Sequence, residues 1–297
     1  MALLTRVRTR AELVARRRVR TLLDGRHAST VHSRSLDFSD LRAYVPGADV
    51  ADIDWKATAR HGDLLVKRHV AERKAVVMLV VDTGRELAAA SHWAFGTTDL
   101  KRDVAVTAAG LLGWIALRAG DHVGMIHTGP HGPIATRPST REVALERMLE
   151  AVVRTCAPDA GTQRTLELLD HAAGAMRRRT MMVLVLGDVE ADSSLERRLV
   201  RLAAQHELVV LTIADVDPTT VVRHGVLATD VVAARPVPGF VGSHPVLAAE
   251  LADADAARRQ RLDAALRRLG VPHVRLARLE NAIPDLLSLM KGRRRGR

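Results

Sequence analysis

The chain has 297 residues, 47% of them hydrophobic but only 2% aromatic, with a formal net charge of +11. That is enough apolar material for a large core of Leu, Val, Ile, Ala and Met, and the lone Cys156 rules out an intramolecular disulfide framework and reads as a small buried apolar residue. The charge sits at the ends: residues 1–34 hold nine arginines against Glu12 and Asp24, the tail KGRRRGR adds five more cations, and the long middle is near neutral. A neutral middle with few rings argues against a nucleic-acid-binding face. It leaves the basic ends open to anionic lipid, RNA or an acidic partner, or simply as solubilising termini.

Residues 1–34 read as a basic helical arm, either an amphipathic helix lying on the body of the domain or on something else or a partly disordered terminus, with no apolar stretch long enough for a signal peptide. The longest uncharged helical run, residues 104–117, is too short to span a bilayer, so a cytoplasmic protein is expected. Residues 35–74 form an irregular extension, and strand and helix then alternate over 75–290 before the basic tail at 291–297. AVVMLVVD reads as a buried strand and LKRDVAVTAAGLLGWIALRAG as a helix closed by Gly120. DHVGMIHTG is a strand and GPIATRPS a short edge strand. TREVALERMLEAVVRT is a helix with Thr140 as candidate N-cap, and TLELLDHAAGAMRRR is another. TMMVLVLGD and LVVLTIAD are two further apolar strands flanking the helix SSLERRLVRLAAQHE, for which Asp192 is the expected cap. A long helix, the strand PHVRLAR and a terminal helix IPDLLSLMK complete the pattern. Near-continuous apolar strands between amphipathic helices predict a doubly wound, mostly parallel α/β sheet with helices on both faces.

In such sheets ligands bind beyond the carboxyl ends of the strands. Three strands end there in acid: Asp82, Asp188 and Asp215. Asp82 is followed by Glu86, and Asp188 by Glu190 and Asp192. Oxygen ligands from separate loops suit a hard cation such as Mg²⁺, while for Asp82 and Asp188 a purely structural role at the strand end is equally consistent. No glycine-rich dinucleotide or nucleoside-triphosphate loop is present, and no serine sits in a nucleophile-elbow context. A metal-dependent hydrolase using the acidic strand ends stands as the alternative to a binding protein.

The stretch before the first long strand contains DFSDLRAYVPGAD, IDWKATAR and LLVKRHVAER in that order. It resembles the signature of the domain of unknown function 58 family, whose members have a von Willebrand factor A-like fold. The resemblance covers roughly residues 35–290. It implies a non-enzymatic interaction module working with a MoxR-type AAA+ ATPase in chaperone-like assembly or maturation of a client protein. Within the signature, Arg42, Tyr44, Pro46, Gly47, Asp49, Asp54, Trp55 and Arg60 mix opposite charges with two rings. That suits a brace anchored by ion pairs and a buried Trp55, or a partner-contacting surface. Domains of this fold bind Mg²⁺ through D-x-S-x-S, a later threonine and a later aspartate. On that comparison Asp82, Thr162 and Asp188 take the first, threonine and last positions, and Gly84 and Glu86 stand where serines are expected. The resemblance therefore implies an altered metal site of Asp82, Glu86, Thr162 and Asp188, or a metal-free adhesion surface in which Arg85 pairs with the acidic cluster.

Overall fold

A computed structural model describes residues 2–18, 41–43, 54–67 and 74–295. The chain divides into two compact units, one of residues 1–22 with 75–297 and a smaller one of residues 23–74.

The larger unit is built on a six-stranded sheet. In chain order its strands are β3 (Val76–Val81), β6 (His122–Gly129), β7 (Gly132–Ser139), β8 (Met181–Leu186), β9 (Glu207–Ile213) and β12 (His273–Leu276). The spatial order is β12-β9-β8-β3-β6-β7. All neighbours are parallel except β7, which returns antiparallel along β6. β3 and β8 lie at the centre and are almost wholly apolar, as strands covered on both faces must be. The expected doubly wound, mostly parallel α/β sheet with helices on both faces is therefore present.

One face packs against α3 (Lys101–Arg118), α4 (Glu142–Thr155) and α10 (Ala282–Arg295), with Leu79, Val81, Leu111 and Leu149 in its core. The other face is covered by α5 (Thr165–Ala175), α6 (Ser193–Gln205) and α9 (Pro245–Arg268), around Val80, Leu184, Leu199 and Leu266. Helix starts follow ordinary capping chemistry. Asp192 accepts from the backbone N–H of Ser194 and Leu195 at 3.0 and 2.7 Å, as its sequence position implied. Thr140 does not cap α4; Arg141 stands at that position without a side-chain bond, and Ser139 Oγ accepts the Arg141 N–H instead. Gly120 ends α3 with φ +86°, a conformation other side chains rarely adopt.

The arginine-rich start is part of this unit and not a loose arm over its described length. Helix α1 (Leu3–Arg18) buries Leu4, Val7 and Ala11 among α3, α4 and α10. Its first turn is held by Glu146, whose two carboxylate oxygens accept the N–H groups of Leu3 and Leu4 at 2.6 and 2.7 Å. This satisfies two donors that a helix start leaves open and places an anion at its positive end. At the other terminus, α10 runs through the start of the basic tail to Arg295. Among the described residues no helix is long and apolar enough to cross a membrane.

The smaller unit contains a short antiparallel pair, β1 (Leu41–Ala43) with β2 (Leu65–Lys67), and helix α2 (Trp55–His61). Asp54 caps α2 by accepting from Lys56 N and Ala57 N, both at 3.0 Å, while its own N–H bonds Leu65 O at 2.8 Å. Thr58 Oγ1 accepts the Leu65 N–H at 3.0 Å, tying helix to strand. Trp55 is not the buried anchor expected: it is 64% exposed at the first position of α2, because the helix buries its capping aspartate. Arg60 is exposed too, and Tyr44, Pro46, Gly47 and Asp49 lie outside the described residues.

Candidate functional site

The carboxyl edge of the sheet does gather Asp82, Asp188 and Asp215, each one or two residues past a strand end, but it treats them differently. Asp82 is fully buried. Its Oδ1 accepts from Thr128 Oγ1 at 3.0 Å and its Oδ2 from Thr165 Oγ1. Burial raises its pKa to about 6, against the lowering effect of the two hydroxyls and of the Arg164 backbone N–H at the start of α5. Among the described residues no cation pairs with it.

Thr162, the expected threonine, is exposed in the preceding loop, and Thr165 reaches Asp82 instead. The segment GTQRT offers two threonines three residues apart, and spacing alone does not tell which one faces the strand end. Gln163 closes the same loop. Its Nε2 donates to Asp82 O at 2.7 Å, and its backbone N–H donates to Glu86 Oε2 at 2.9 Å. Glu86, at the second serine position, thus turns its carboxylate back onto the loop. A side chain at Gly84, the first serine position, would meet that oxygen at 2.8 Å, Gln163 N at 2.9 Å and Gly161 O at 3.0 Å. The space for a serine hydroxyl is already filled. Among the described residues Arg85 pairs with no acid; its Nε donates to Ala160 O at 2.8 Å.

Asp188 faces cations. Its side chain is only 6% exposed and its Oδ2 lies 2.9 Å from Arg275 Nη2 and 3.7 Å from Arg258 Nη2. Burial alone would raise its pKa, but the bond and charge of Arg275, with Arg258, outweigh it and hold the carboxyl below its usual range. Asp215 is taken by Lys101, a lysine only 2% exposed at the first turn of α3, at 2.5 Å.

The four residues Asp82, Glu86, Thr162 and Asp188 therefore do not converge on one point with open oxygens. Glu86 is spent on backbone, Thr162 faces solvent and Asp188 is bound by two guanidiniums. No group of three or more His, Cys, Asp or Glu able to hold a metal occurs among the described residues. The donor set does not fit a Mg²⁺ ion, which demands near-octahedral oxygen ligation. Sequence reasoning missed Thr128, Thr165, Lys101, Arg258 and Arg275. Arg275 carried a signal, a cation inside the strand pattern PHVRLAR; Lys101, followed by Arg102 and Asp103 at a helix start, carried none.

The edge also carries features that sequence did not reveal. Between Asp82 and α3 the chain makes a 3₁₀ turn (Arg85–Ala88) and an antiparallel hairpin, β4 (Ala90–Ala94) and β5 (Thr97–Leu100). After β9 comes α7 (Pro218–Arg223), then a two-residue antiparallel pair, β10 (Thr229–Asp230) with β11 (Arg235–Pro236), and the short helix α8 (Phe240–Ser243), which packs against α7. A Cβ on Gly242 would lie 2.5 Å from Arg223 N, so glycine permits this close approach. Trp93 and Phe95 of the hairpin stack with His224 past α7, with ring centroids 5.1–5.3 Å apart. Phe95 is 76% exposed and Leu227 is 98% exposed, and Phe240 is exposed as well.

Uncharacterized proteins of Mycobacterium tuberculosis and Mycobacterium bovis are 29% identical over 291 residues, covering 96% of this chain and 88% of theirs. Among solved structures, an aerotolerance-related membrane protein from Bacteroides fragilis is similar over 73% of this chain and 99% of its own, at 11% identity and a TM-score of 0.44. The von Willebrand A domain of SpRpn10 is similar over 48% of this chain and 77% of its own, at 14% identity and a TM-score of 0.35. The family model described as protein of unknown function DUF58 matches residues 40–230, which hold the signature, the central strands and all three strand-end acids, and the chain belongs to that family.

Proposed function

We propose that this protein is a non-enzymatic interaction module that docks a partner at the carboxyl edge of its sheet without a resident ion. The observation that carries the reading is the cluster of half-buried Trp93 with exposed Phe95 and His224, with exposed Leu227 three residues on from His224 and exposed Phe240 on the helix packed against α7. In a chain with three phenylalanines, placing Phe95 and Phe240 in solvent beyond the strand ends costs hydration that a partner would recover. The acids of the same edge support it. Each is engaged by a threonine, arginine or lysine side chain of its own chain, so none is free to activate water in the manner of a metal-dependent hydrolase. The family resemblance points to a MoxR-type AAA+ ATPase as the partner, acting on a client in assembly or maturation.

The test is binding of the purified chain to the MoxR-type ATPase of the same organism by analytical ultracentrifugation and anisotropy. Phe95→Asp with Leu227→Asp should weaken binding at least tenfold at unchanged Tm. Val200→Asp, on the exposed face of α6, should leave it intact. Equal binding by all three proteins sinks the reading. In parallel, titration of chelator-treated protein with Mg²⁺ should release no saturable heat, and a saturable heat abolished by Asp82→Ala would restore the metal site.

A further inference from the structure

Beneath α9, between that helix, β9, β12 and the turn that follows β8, lies a cavity of about 300 Å³ lined by Asp188, Thr212, Arg258, Arg259, His273 and Arg275. Its wall is fixed by a chain of polar bonds. His273 Nε2 lies 2.9 Å from Thr212 Oγ1, and its Nδ1 lies 2.7 Å from Asp263 Oδ1. Both ring nitrogens are used, so the imidazole cannot swing.

The guanidiniums are less well served. Arg258 and Arg275 both address Asp188 through Nη2 alone, and the same two Nη2 atoms also approach Asp255 at 2.6 and 4.0 Å. The Nε of each arginine is buried with no hydrogen-bond partner. A buried donor left open is unfavourable, because it has lost its water without gaining a protein partner. An arginine normally meets an acid through two parallel N–H groups, and this pair has that capacity unspent.

We infer that this cavity receives a single carboxylate from an acidic side chain of a protein partner, held by Arg258 and Arg275. The unspent capacity is donor capacity, which calls for an anion. Three arginines (258, 259 and 275) face three aspartates (188, 255 and 263), so the surround is near neutral and favours a monoanion over a dianionic phosphate. The volume stands at the low end for ligand sites, enough for an acidic side chain and its neighbours. Asp255 is shared with Arg259 at 3.2 Å, so Arg258 can leave it without stranding that acid. The assignment rests on the interaction-module reading and names the partner chemistry for a second part of the same edge.

The experiment is fluorescence anisotropy of the full chain with a labelled octapeptide carrying two glutamates, its glutamine analogue, and sodium acetate as competitor. The acidic peptide should saturate, and the glutamine analogue should bind at least tenfold more weakly. Arg275→Lys keeps a charge beside Asp188 but removes the planar fork, so it should fold with unchanged circular dichroism and lose peptide binding at least tenfold. Equal binding of the two peptides, or an unaffected Arg275→Lys variant, overturns the carboxylate site. Acetate binding as tightly as the peptide overturns the partner assignment in favour of a free small acid. Loss of the peptide result with ATPase binding intact refutes the cavity alone, since the Phe95 and Leu227 test reads the module independently.

Discussion

Asp82 is a carboxyl group with two hydroxyl donors, a nearby helix start and, among the described residues, no cation partner. Its folded pKa of about 6 lies above the ordinary 3.8, so the folded state holds its proton more tightly than the unfolded state does. The consequence has a definite sign. The charged form penalises folding, the penalty is absent below about pH 3.8, and it grows as pH rises to about 6 and is complete above it. Asp82→Asn should remove this dependence. Denaturant unfolding at pH 5 and pH 8 should show the wild type losing about 1–3 kcal/mol more than the variant across that interval. Parallel curves for the two proteins would mean that the carboxylate is better solvated than its burial implies. Asp188 behaves in the opposite way. It is ionised and shared by two partly exposed arginines that also approach Asp255, so Asp188→Ala should cost about 1–3 kcal/mol, chiefly through the lost charged bond to Arg275. That makes it a poor probe of binding by itself, and a Tm within a degree or two of wild type would show that the arginines escape to solvent.

At the level of the element, the loop after β3 shows how a metal-type loop closes on itself. Glu86 bonds the Gln163 N–H across the gap, and the position that would carry the first serine has no room beyond hydrogen. Gly84→Ser should therefore destabilise the protein by about 1–3 kcal/mol, as overpacking does. Adding Glu86→Ser should relieve only part of this, because Gln163 N and Gly161 O are backbone and stay; full recovery by the double variant, read from thermal melts, would show that the loop can reopen. The sequence made most of the surrounding frame legible. Apolar runs such as MMVLVL and the flanking amphipathic helices identify buried parallel strands, and Asp192 announces its cap. What stayed hidden was long-range. The choice of Thr165 over Thr162 depends on where α5 begins, and the capture of Asp188 by Arg275 spans 87 residues and needs the strand order. The β4–β5 hairpin was missed because ASHWAFGTTDL is short, polar and lacks strict alternation. Trp55 was misjudged because rarity of a ring says nothing about which side of a short helix it occupies.

For the whole molecule, the amino-terminal helix decides between two readings of the arginine-rich start. It lies on the body of the larger unit, where Leu4, Val7 and Ala11 complete one core and Glu146 clamps its first turn. Leu4→Ala should cost about 2–4 kcal/mol of global stability, and Glu146→Ala about 1 kcal/mol through the lost cap. Both are checked by urea unfolding, and no change in either would mean that α1 detaches readily. Trimming residues 1–25 would likewise unsettle the fold, so loss of a salt-sensitive interaction in such a variant would not identify the arginines as the contact.

The antiparallel strand β7 has a further consequence. It borders the sheet on one side, carries Pro133 and Pro138, and shifts register opposite Val123 and Met125. Proline offers no N–H to a newcomer, and a bulge spoils the spacing a second ladder needs. On the opposite border, β12 has four residues and α10 packs against it. Neither flank is a good template for strand-by-strand growth, so the molecule is guarded against sideways polymerisation into fibrils.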